Sequence, residues 1–504
     1  MEEIYLEYTL FCMYNETMSN KYILAIDGGT QSFKLVIFDT RGNAICQGQQ
    51  ILRPTQAPKT GWVEHPDDDL WDALSGASRQ LFSRFTGRKE DIIGVGLCTI
   101  RSCRVYLKAD GSLAYPVIDW MDPRAYGPFE LPNREVRYAT TTTGYMTARL
   151  TGNLKDTIAN NTFIQWPADM VAWKWSDDDE EFRKYNIGRE YMLETCLPGD
   201  ILGTITKAAS EATGIPEGIP VAATGSDKAV EALGAGLSQT GNTGLVSLGT
   251  YISSMVCGSE YLPYNPKGYY TNFASVPYKY LYESFGIQRG MWTISWLKDL
   301  FGDEVALRAK ERGISPEELL DNEAEKIPAG SNGLMTIVEW LGNPGYRYKK
   351  GIMMGFDVRH TRAHMHRSVM EGIALTMKNF YDAMCSELNI KPQKLIVSGG
   401  GSNANVFIQI FADVFGVPAI RNVINGAASV GSAICAAVAT GVYKDFEEAA
   451  KNMVQIRDEF NPNTDNHALY TKLNEEVYRH ITASTDEFLK KTWTIFGEDK
   501  MVGV

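Results

Sequence analysis

Residues 22–39, YILAIDGGTQSFKLVIFD, are two apolar runs of β character separated by Gly28, Gly29 and Thr30. A second tight turn, TRGN, follows and leads into AICQGQQI. Three β runs joined by short turn signals predict a meander of antiparallel strands. Pro66 and the acidic residues Asp67 to Asp69 then open a helical stretch through Phe85, with the carboxylates at the end where the helix dipole favours them. A buried strand is expected over Ile92 to Cys98. Meander, helix and strand together begin a mixed α/β sheet.

Working outward, the apolar run IPVAATGSD feeds directly into KAVEALGAGL, a strand entering a helix with Gly225 to Asp227 at the junction. Open α/β sheets place ligands at such carboxyl ends of strands. The next segment, TGLVSLGTYISSMVC, repeats the order of the N-terminal hairpin: apolar strand, Gly-Thr turn, apolar strand. This self-similarity predicts two related lobes, each opening with a β-turn-β unit. Downstream lie a Tyr-rich segment (Tyr261 to Tyr282) and helices over Gly290 to Phe301, near Pro316 to Lys326 and over Thr361 to Leu388. The strand, Gly-rich turn and helix of KLIVSGGGSNANVFIQIFADVFG come next, then the small-residue helix NGAASVGSAICAAVATG. Helices over Glu447 to Met453 and His467 to Leu489 close the pattern.

Composition narrows the function classes. The 504 residues carry 49 basic and 61 acidic side chains, a formal charge of −12. An acidic chain lacks the basic footprint that nucleic-acid phosphates require, so small molecules are the expected partners. The eight cysteines are scattered, with neither a disulfide nor a zinc spacing, and read as buried thiols of a reducing, cytoplasmic compartment. No apolar run approaches the roughly 18 residues needed to span a bilayer. Residues 1–20 start acidic without a basic n-region, fail as a signal peptide and are expected to be a disordered extension, with Met18 an alternative start.

Three Gly-rich turns end apolar strands: Asp27-Gly28-Gly29-Thr30, Leu248-Gly249-Thr250 and Gly399 to Asn403. Glycine lets consecutive backbone N–H groups converge on an anion, and the adjacent hydroxyls add donors. A hairpin turn is the plain alternative for any one of them. Three in one chain, one preceded by Asp27, point to a nucleotide triphosphate held between two lobes, with Asp27 sufficient for a phosphate-bound Mg²⁺. Neither a P-loop nor a dinucleotide-binding glycine fingerprint is present. Asp227 has two readings, a helix N-cap or a general base that takes a proton from a substrate hydroxyl.

These stretches resemble the FGGY carbohydrate kinases of the actin-like ATPase superfamily. AIDGGTQSFKLVIFD is similar to their first phosphate motif, GWVEHPDDDLW to the tryptophan-glutamate segment, and GIPEGIPVAATGSDKAVEALGAG to the segment bearing the catalytic Asp. SLGT resembles the second phosphate motif and VSGGGSNANVFIQIFADVFGVPA the adenosine motif; YMTARLTGNLKDTIANN and HTRAHMHRSVMEGIAL also have counterparts. The resemblance implies two actin-like, ribonuclease H-like lobes with mixed sheets, divided near residue 253, with ATP in the cleft and a tail from 491. It implies Asp227 as general base and Asp27 near Mg²⁺, directly or through water. Gly29, Thr30, Gln31 and Lys34 would serve the phosphates, with Gly249 and Thr250 opposite. Gly400, Gly401 and Asn405 would lie against the α-phosphate and adenosine, and Arg101, Trp120, Asp122 and Arg124 on the substrate side.

Two departures bear on specificity. Glycerol kinases carry Glu after the Arg matched by Arg101; here it is Ser102. The connection from Arg124 to Tyr145 is also shorter than most members have. His360, His364 and His366 lie within one helical start without a completing carboxylate, and Asp177 to Glu181 fits a solvated helix N-terminus. Trp166, Trp173 and Trp175 are expected in packing roles. The expected activity is ATP-dependent phosphorylation of a hydroxyl of a small sugar or polyol, by a chain for which a homodimer is open. The rivals are a non-catalytic actin-like nucleotide switch and an autoinducer-2-type kinase.

Overall fold

The computed structural model describes residues 21–161, 165–237, 242–342 and 346–496; the expected N-terminal extension and Cys12 lie outside them. In the first large sheet, β1 (Tyr22–Gly28), β2 (Ser32–Asp39) and β3 (Ala44–Ile51) form the antiparallel meander expected from the sequence. Helix α1 (Asp69–Phe82) follows and packs on β2 and β3. β4 (Ile92–Thr99) lies parallel to β1, and β5 (Ile201–Thr204) and β6 (Pro220–Ser226) complete the order β5-β6-β4-β1-β2-β3. Ile23 to Ile26 are fully buried on both faces, which accounts for a continuous apolar run in place of alternation. Helix α2 (Asp227–Gly234) leaves β6 without a connecting loop.

The second sheet repeats the plan. β7 (Thr243–Leu248) and β8 (Ile252–Gly258) form a hairpin equivalent to β1 and β2. The Tyr-rich segment supplies β9 (Tyr269–Phe273) and β10 (Tyr280–Ser284), and β10 pairs antiparallel with β8. Helix α3 (Gly290–Leu300) and the long α4 (Arg362–Leu388) precede β11 (Lys394–Ser398), which lies parallel to β7 as β4 does to β1. Helix α5 (Asn405–Phe415), β12 (Ala419–Asn422), α6 (Ala427–Ala439) and β13 (Ile456–Phe460) complete the order β9-β10-β8-β7-β11-β12-β13. The last helix runs Arg479–Phe496, past the expected start of a tail at 491, and a π turn at Asn474–Tyr478 precedes it.

Because β7 and β8 are one hairpin of the second sheet, the division expected after residue 253 passes through β8. Helix α6 crosses that division too: it packs on β1 and β4 of the first sheet and on α2. Its small residues make this possible. A Cβ on Gly431 would lie 2.0 Å from the Val230 carbonyl oxygen, and one on Gly234 would lie 1.9 Å from that of Ala427. Helices α2 and α6 therefore meet backbone to backbone, and Val430, Ala433 and Ile434 join Ile23, Ala25 and Ala222 in one buried cluster. This layer sets the spacing of the two sheets and hence of the cleft between them.

Candidate active site

Asp27, the last residue but one of β1, pairs with Lys34 on β2, so the two side chains emerge on one face of the hairpin. Ser429 of α6 donates its hydroxyl to Asp27 Oδ2 at 3.5 Å. Burial, with the negative field of Asp227 and Glu231, pushes the Asp27 carboxyl up to about 6, against the partial opposition of Lys34 and Ser429. An acid held short of positive charge fits a bound cation. Lys34 makes no ion pair among the described residues, and its ammonium lies 3.2 Å from where a Cβ on Gly426 would be.

The three Gly-rich turns end β1, β7 and β11, the last two side by side, and their glycines divide into two kinds. Gly28, Gly399 and Gly401 are required by the fold: an added Cβ would come within 2.6 Å of the Phe33 ring, 2.6 Å of the Leu248 carbonyl oxygen and 2.8 Å of Met291 Sδ respectively. Gly29, Gly249 and Gly400 are not. A Cβ there meets nothing closer than 3.7 Å and 3.5 Å at the first two and nothing within 4 Å at Gly400, and none has a left-handed φ. Space that only a missing side chain leaves open suits a ligand approaching the backbone. Thr30, Gln31 and Thr250 are exposed beside these turns. The Gly249 and Thr250 carbonyls accept from Met291 and Gly290 at the start of α3, which fixes the second turn.

Asn405, at the start of α5, accepts from Arg421 Nη2 at 2.9 Å through its own Oδ1. It also lines a cavity of about 450 Å³ with Ile327, Pro328, Gln409 and Phe460. The segment before α4 that forms its other wall carried no recognisable signal in the sequence.

Asp227 is the first residue of α2, but Ser226 caps the helix by accepting from the Ala229 N–H at 3.3 Å. The capping role is thus discharged by a neighbour. Asp227 Oδ1 is a buried oxygen without a hydrogen-bond partner, and Arg101 Nε stands 3.9 Å from it. Next to Asp227, Lys228 binds Glu231 at 2.9 Å and Ser247 of β7 at 2.6 Å, tying α2 to the second sheet.

Arg101 follows β4 and reaches across the cleft to Glu283 on β10. Its Nη1 and Nη2 donate to the two carboxylate oxygens at 2.7 and 3.0 Å. Ser253 and Asn272 donate to the same carboxylate at 2.8 and 3.2 Å. Burial would raise Glu283, but Arg101, Lys228 and Ser253 outweigh it and hold the carboxyl below its ordinary range. Ser102 itself adopts a left-handed φ of 67°.

Asp122 and Arg124 come together with each other. Arg124 Nε and Nη2 donate to the two Asp122 oxygens at 3.0 and 2.6 Å, Nη2 reaches Glu64 at 2.8 Å, and the guanidinium lies 3.5 Å above the Trp62 ring. Among the described residues no hydrogen bond or ion pair joins this network to Arg101 or Asp227. Trp120, between them in sequence, has a buried Nε1 without a partner.

The remaining candidates have structural roles. His364 closes the capping box of α4 with Thr361, His366 bonds Asp321 at 2.9 Å, and the His360 ring accepts from the Asp357 N–H. Asp178 caps the helix within the acidic run. Trp166 and Trp173 are buried, and Trp175 donates to the Leu193 carbonyl. The described residues do bring His65, Cys103 and Asp119 within 4.8 Å of one another, a group not anticipated from spacing, in which His65 and Asp119 already share a hydrogen bond.

Two similar mixed sheets enclosing a cleft lined by Gly-rich turns define a two-lobed phosphotransferase architecture. The models of the FGGY family of carbohydrate kinases match residues 22–140 (N-terminal domain) and 244–440 (C-terminal domain), and the chain belongs to that family. It is 48% identical over 478 residues to the uncharacterized sugar kinase YgcE of Escherichia coli K12, covering 95% of this chain and 96% of that one. Autoinducer-2 kinase of E. coli O139:H28 is 26% identical, covering 91% and 93%. Ligand-bound xylulose kinase of Lactobacillus acidophilus superposes with a TM-score of 0.79 at 19% identity, covering 94% and 100%, a likeness of fold. No helix among the described residues is long and apolar enough to cross a membrane.

Proposed function

We propose that the protein transfers the γ-phosphoryl group of ATP to a hydroxyl of a small sugar or polyol, with Asp227 as general base. The observation that carries this reading is Asp227 Oδ1, buried, without a partner and freed from capping by Ser226. An acceptor hydroxyl placed against Oδ1 gives up its proton there while its oxygen forms the new bond to phosphorus and the bond to the ADP oxygen breaks. Gly29 and Gly249 would admit the phosphates to backbone N–H groups from both lobes; Gly400 and Asn405 would take the adenosine side, beside the cavity. Mg²⁺ bound with the nucleotide supplies positive charge against the phosphate oxygens; Asp27, with Ser429 beside it, would hold it. Thr30, Gln31, Lys34 and Thr250 would add donors to the phosphates, while Gly401 would shape the turn behind them. Trp120, through its free Nε1, would face the acceptor with Arg101, and Asp122 would hold Arg124 at the margin of the same pocket.

The test is ADP release across pentuloses, hexuloses, tetritols and glycerol, in the wild type and in Asp227→Asn. Sugar-stimulated turnover that disappears in the variant while ATP binding persists supports the kinase. Turnover indifferent to every sugar, or undiminished by the substitution, favours a nucleotide switch. A second reading, an acceptor of the autoinducer-2 kind, is favoured by the autoinducer-2 kinase relative and is separated by adding that compound to the panel.

A further inference from the structure

Three short segments of the first lobe, residues 63–65, 103–105 and 117–119, run side by side. Glu64 and Arg104 each bridge Ile118 in antiparallel fashion, so Ile118 has a partner on both sides. Residues that flank the bridged positions of such a ladder share one face. His65, Cys103 and Asp119 do so; all three are buried, and one donor atom from each lies within 4.8 Å of the others. We propose that these three side chains form a site for a single Zn²⁺, with His65 Nε2, Cys103 Sγ and Asp119 Oδ2 as its ligands. The site stands apart from the kinase reading and does not depend on it.

Donors bound to a tetrahedral zinc at its usual bond lengths lie about 3.3–3.6 Å from one another. His65 Nε2 and Asp119 Oδ2 are 3.1 Å apart, so the ion asks for only a small opening between them. Sulfur and imidazole select zinc over Mg²⁺ and Ca²⁺, which take oxygen. A thiolate and a carboxylate also cancel the two charges of the ion and leave a neutral buried centre. Without it, Asp119 is a fully buried carboxylate whose sole ion-pair partner among the described residues is the His65 ring, and a charge so placed is costly. Asp119 Oδ1 accepts from the Met121 N–H at 2.8 Å, which leaves Oδ2 to the ion. Burial and the Asp119 charge push the Cys103 thiol up; a coordinated cation reverses that preference and holds the thiolate.

The other ring nitrogen gives an independent observation. His65 Nδ1 is buried and without a hydrogen-bond partner, and Asp69 Oδ2 stands 4.0 Å from it. A histidine that binds metal through one nitrogen commonly donates its other N–H to a carboxylate. Asp69 is held in place by Arg53, whose Nε donates to it at 2.9 Å. Loading the site therefore releases the Cys103 proton to water and shifts the ring proton of His65 from Nε2 to Nδ1, where Asp69 receives it. Asp69 touches no ion in this arrangement; it is a positioning residue acting through His65.

The experiment strips the full, untagged chain with a chelator and titrates it with Co²⁺ and then with Zn²⁺. Co²⁺ is expected to give a sulfur-to-metal charge-transfer band in the near ultraviolet, saturating at about one ion per chain, and Zn²⁺ should displace it and raise the melting temperature. Cys103→Ser should remove the band, and Asp69→Asn should weaken Zn²⁺ binding about ten-fold. X-ray absorption of the zinc-loaded wild type should show one sulfur at about 2.3 Å with nitrogen or oxygen at about 2.0–2.2 Å. A stripped wild type that gives no charge-transfer band overturns the proposal, whatever metal the purified chain carries. A band that persists in Cys103→Ser, or a shell of two or more sulfurs, places the ion at other cysteines and overturns it as well. The cobalt spectrum and the sulfur count are read on the wild type, so they decide even where a substituted chain does not fold.

Discussion

The two halves of the cleft handle charge in opposite ways. On the side proposed for the acceptor, Arg101 and Arg124 are each met by protein carboxylates, and Glu283 and Asp122 are held below the ordinary carboxylate range despite their burial. On the nucleotide side Asp27 is pushed up to about 6, Lys34 has no ion-pair partner among the described residues, and three turns leave room beside bare glycines. A finished network is complete before any ligand arrives; an unfinished one awaits charge from outside. On the proposed kinase reading, the unfinished side is the one that would take the anionic nucleotide with its cation.

Asp227 stands where the halves meet, and the sharpest way to break the comparison is to replace it. In Asp227→Asn the oxygen beside Arg101 remains but can take no proton. Sugar-stimulated kcat is expected to fall by about 10²–10⁴-fold, the usual range for a positioned general base, with ATP affinity measured calorimetrically unchanged. Retained turnover would remove Asp227 from the reaction.

The strand-to-helix junction at Asp227 and the three Gly-rich turns were legible in the sequence because each signal is contiguous: an apolar strand, a glycine turn, a carboxylate or hydroxyl at a fixed step. The β-turn-β repeat likewise anticipated that β7 and β8 mirror β1 and β2. Glu283 carried no such mark. It sits beside a run of tyrosines, and its role exists only because β10 pairs with β8 and the second lobe meets Arg101 from 182 positions earlier. The placement of α6 on the first sheet was hidden for the same reason, as was the commitment of Arg124 to Asp122 and Glu64. Local pattern exposes what a turn can do; it is silent about what crosses a cleft.

Asp27→Asn is the next largest perturbation. Removing the acid that would hold the cation is expected to lower kcat by about 10²-fold, as loss of one electrostatic group commonly does, and to raise the Mg²⁺ concentration needed for half-maximal rate. Because burial makes the ionised acid unfavourable, the same variant should melt higher than the wild type at pH 8 without ligand, and the gap should close toward pH 4. An acid that only braced the fold would lose stability instead.

The glycines give a smaller and cleaner contrast. Gly400→Ala places a methyl where the protein has nothing within 4 Å, so melting should be unchanged while the KM for ATP rises roughly ten-fold, the equivalent of about 1.4 kcal/mol. Gly401→Ala, whose Cβ would meet Met291 and Leu248 at 2.8 and 2.9 Å, should lower melting. Equal effects of the two on stability would show that Gly400 answers to the fold and not to a ligand.

Acidity produces the mildest effect and tests both halves at once. With Asp27 near 6, about half of it is protonated at pH 6, so affinity for Mg²⁺ and ATP should drop about two-fold between pH 7.5 and 6 and recover when Mg²⁺ is raised. In stability the signs are opposed. Asp27 has its folded value raised, so its contribution is most favourable below about 4 and is lost as pH rises through about 6. Glu283 and Asp122 have theirs lowered, so their contributions are present above the ordinary carboxylate range and are lost as pH falls through it. Melting of Asp27→Asn should consequently lack the wild type's gain between pH 6 and 4, whereas Glu283→Gln should lack part of its loss on further acidification. Identical pH profiles for the two variants would mean that the halves of the cleft do not differ in the way their charges are paired.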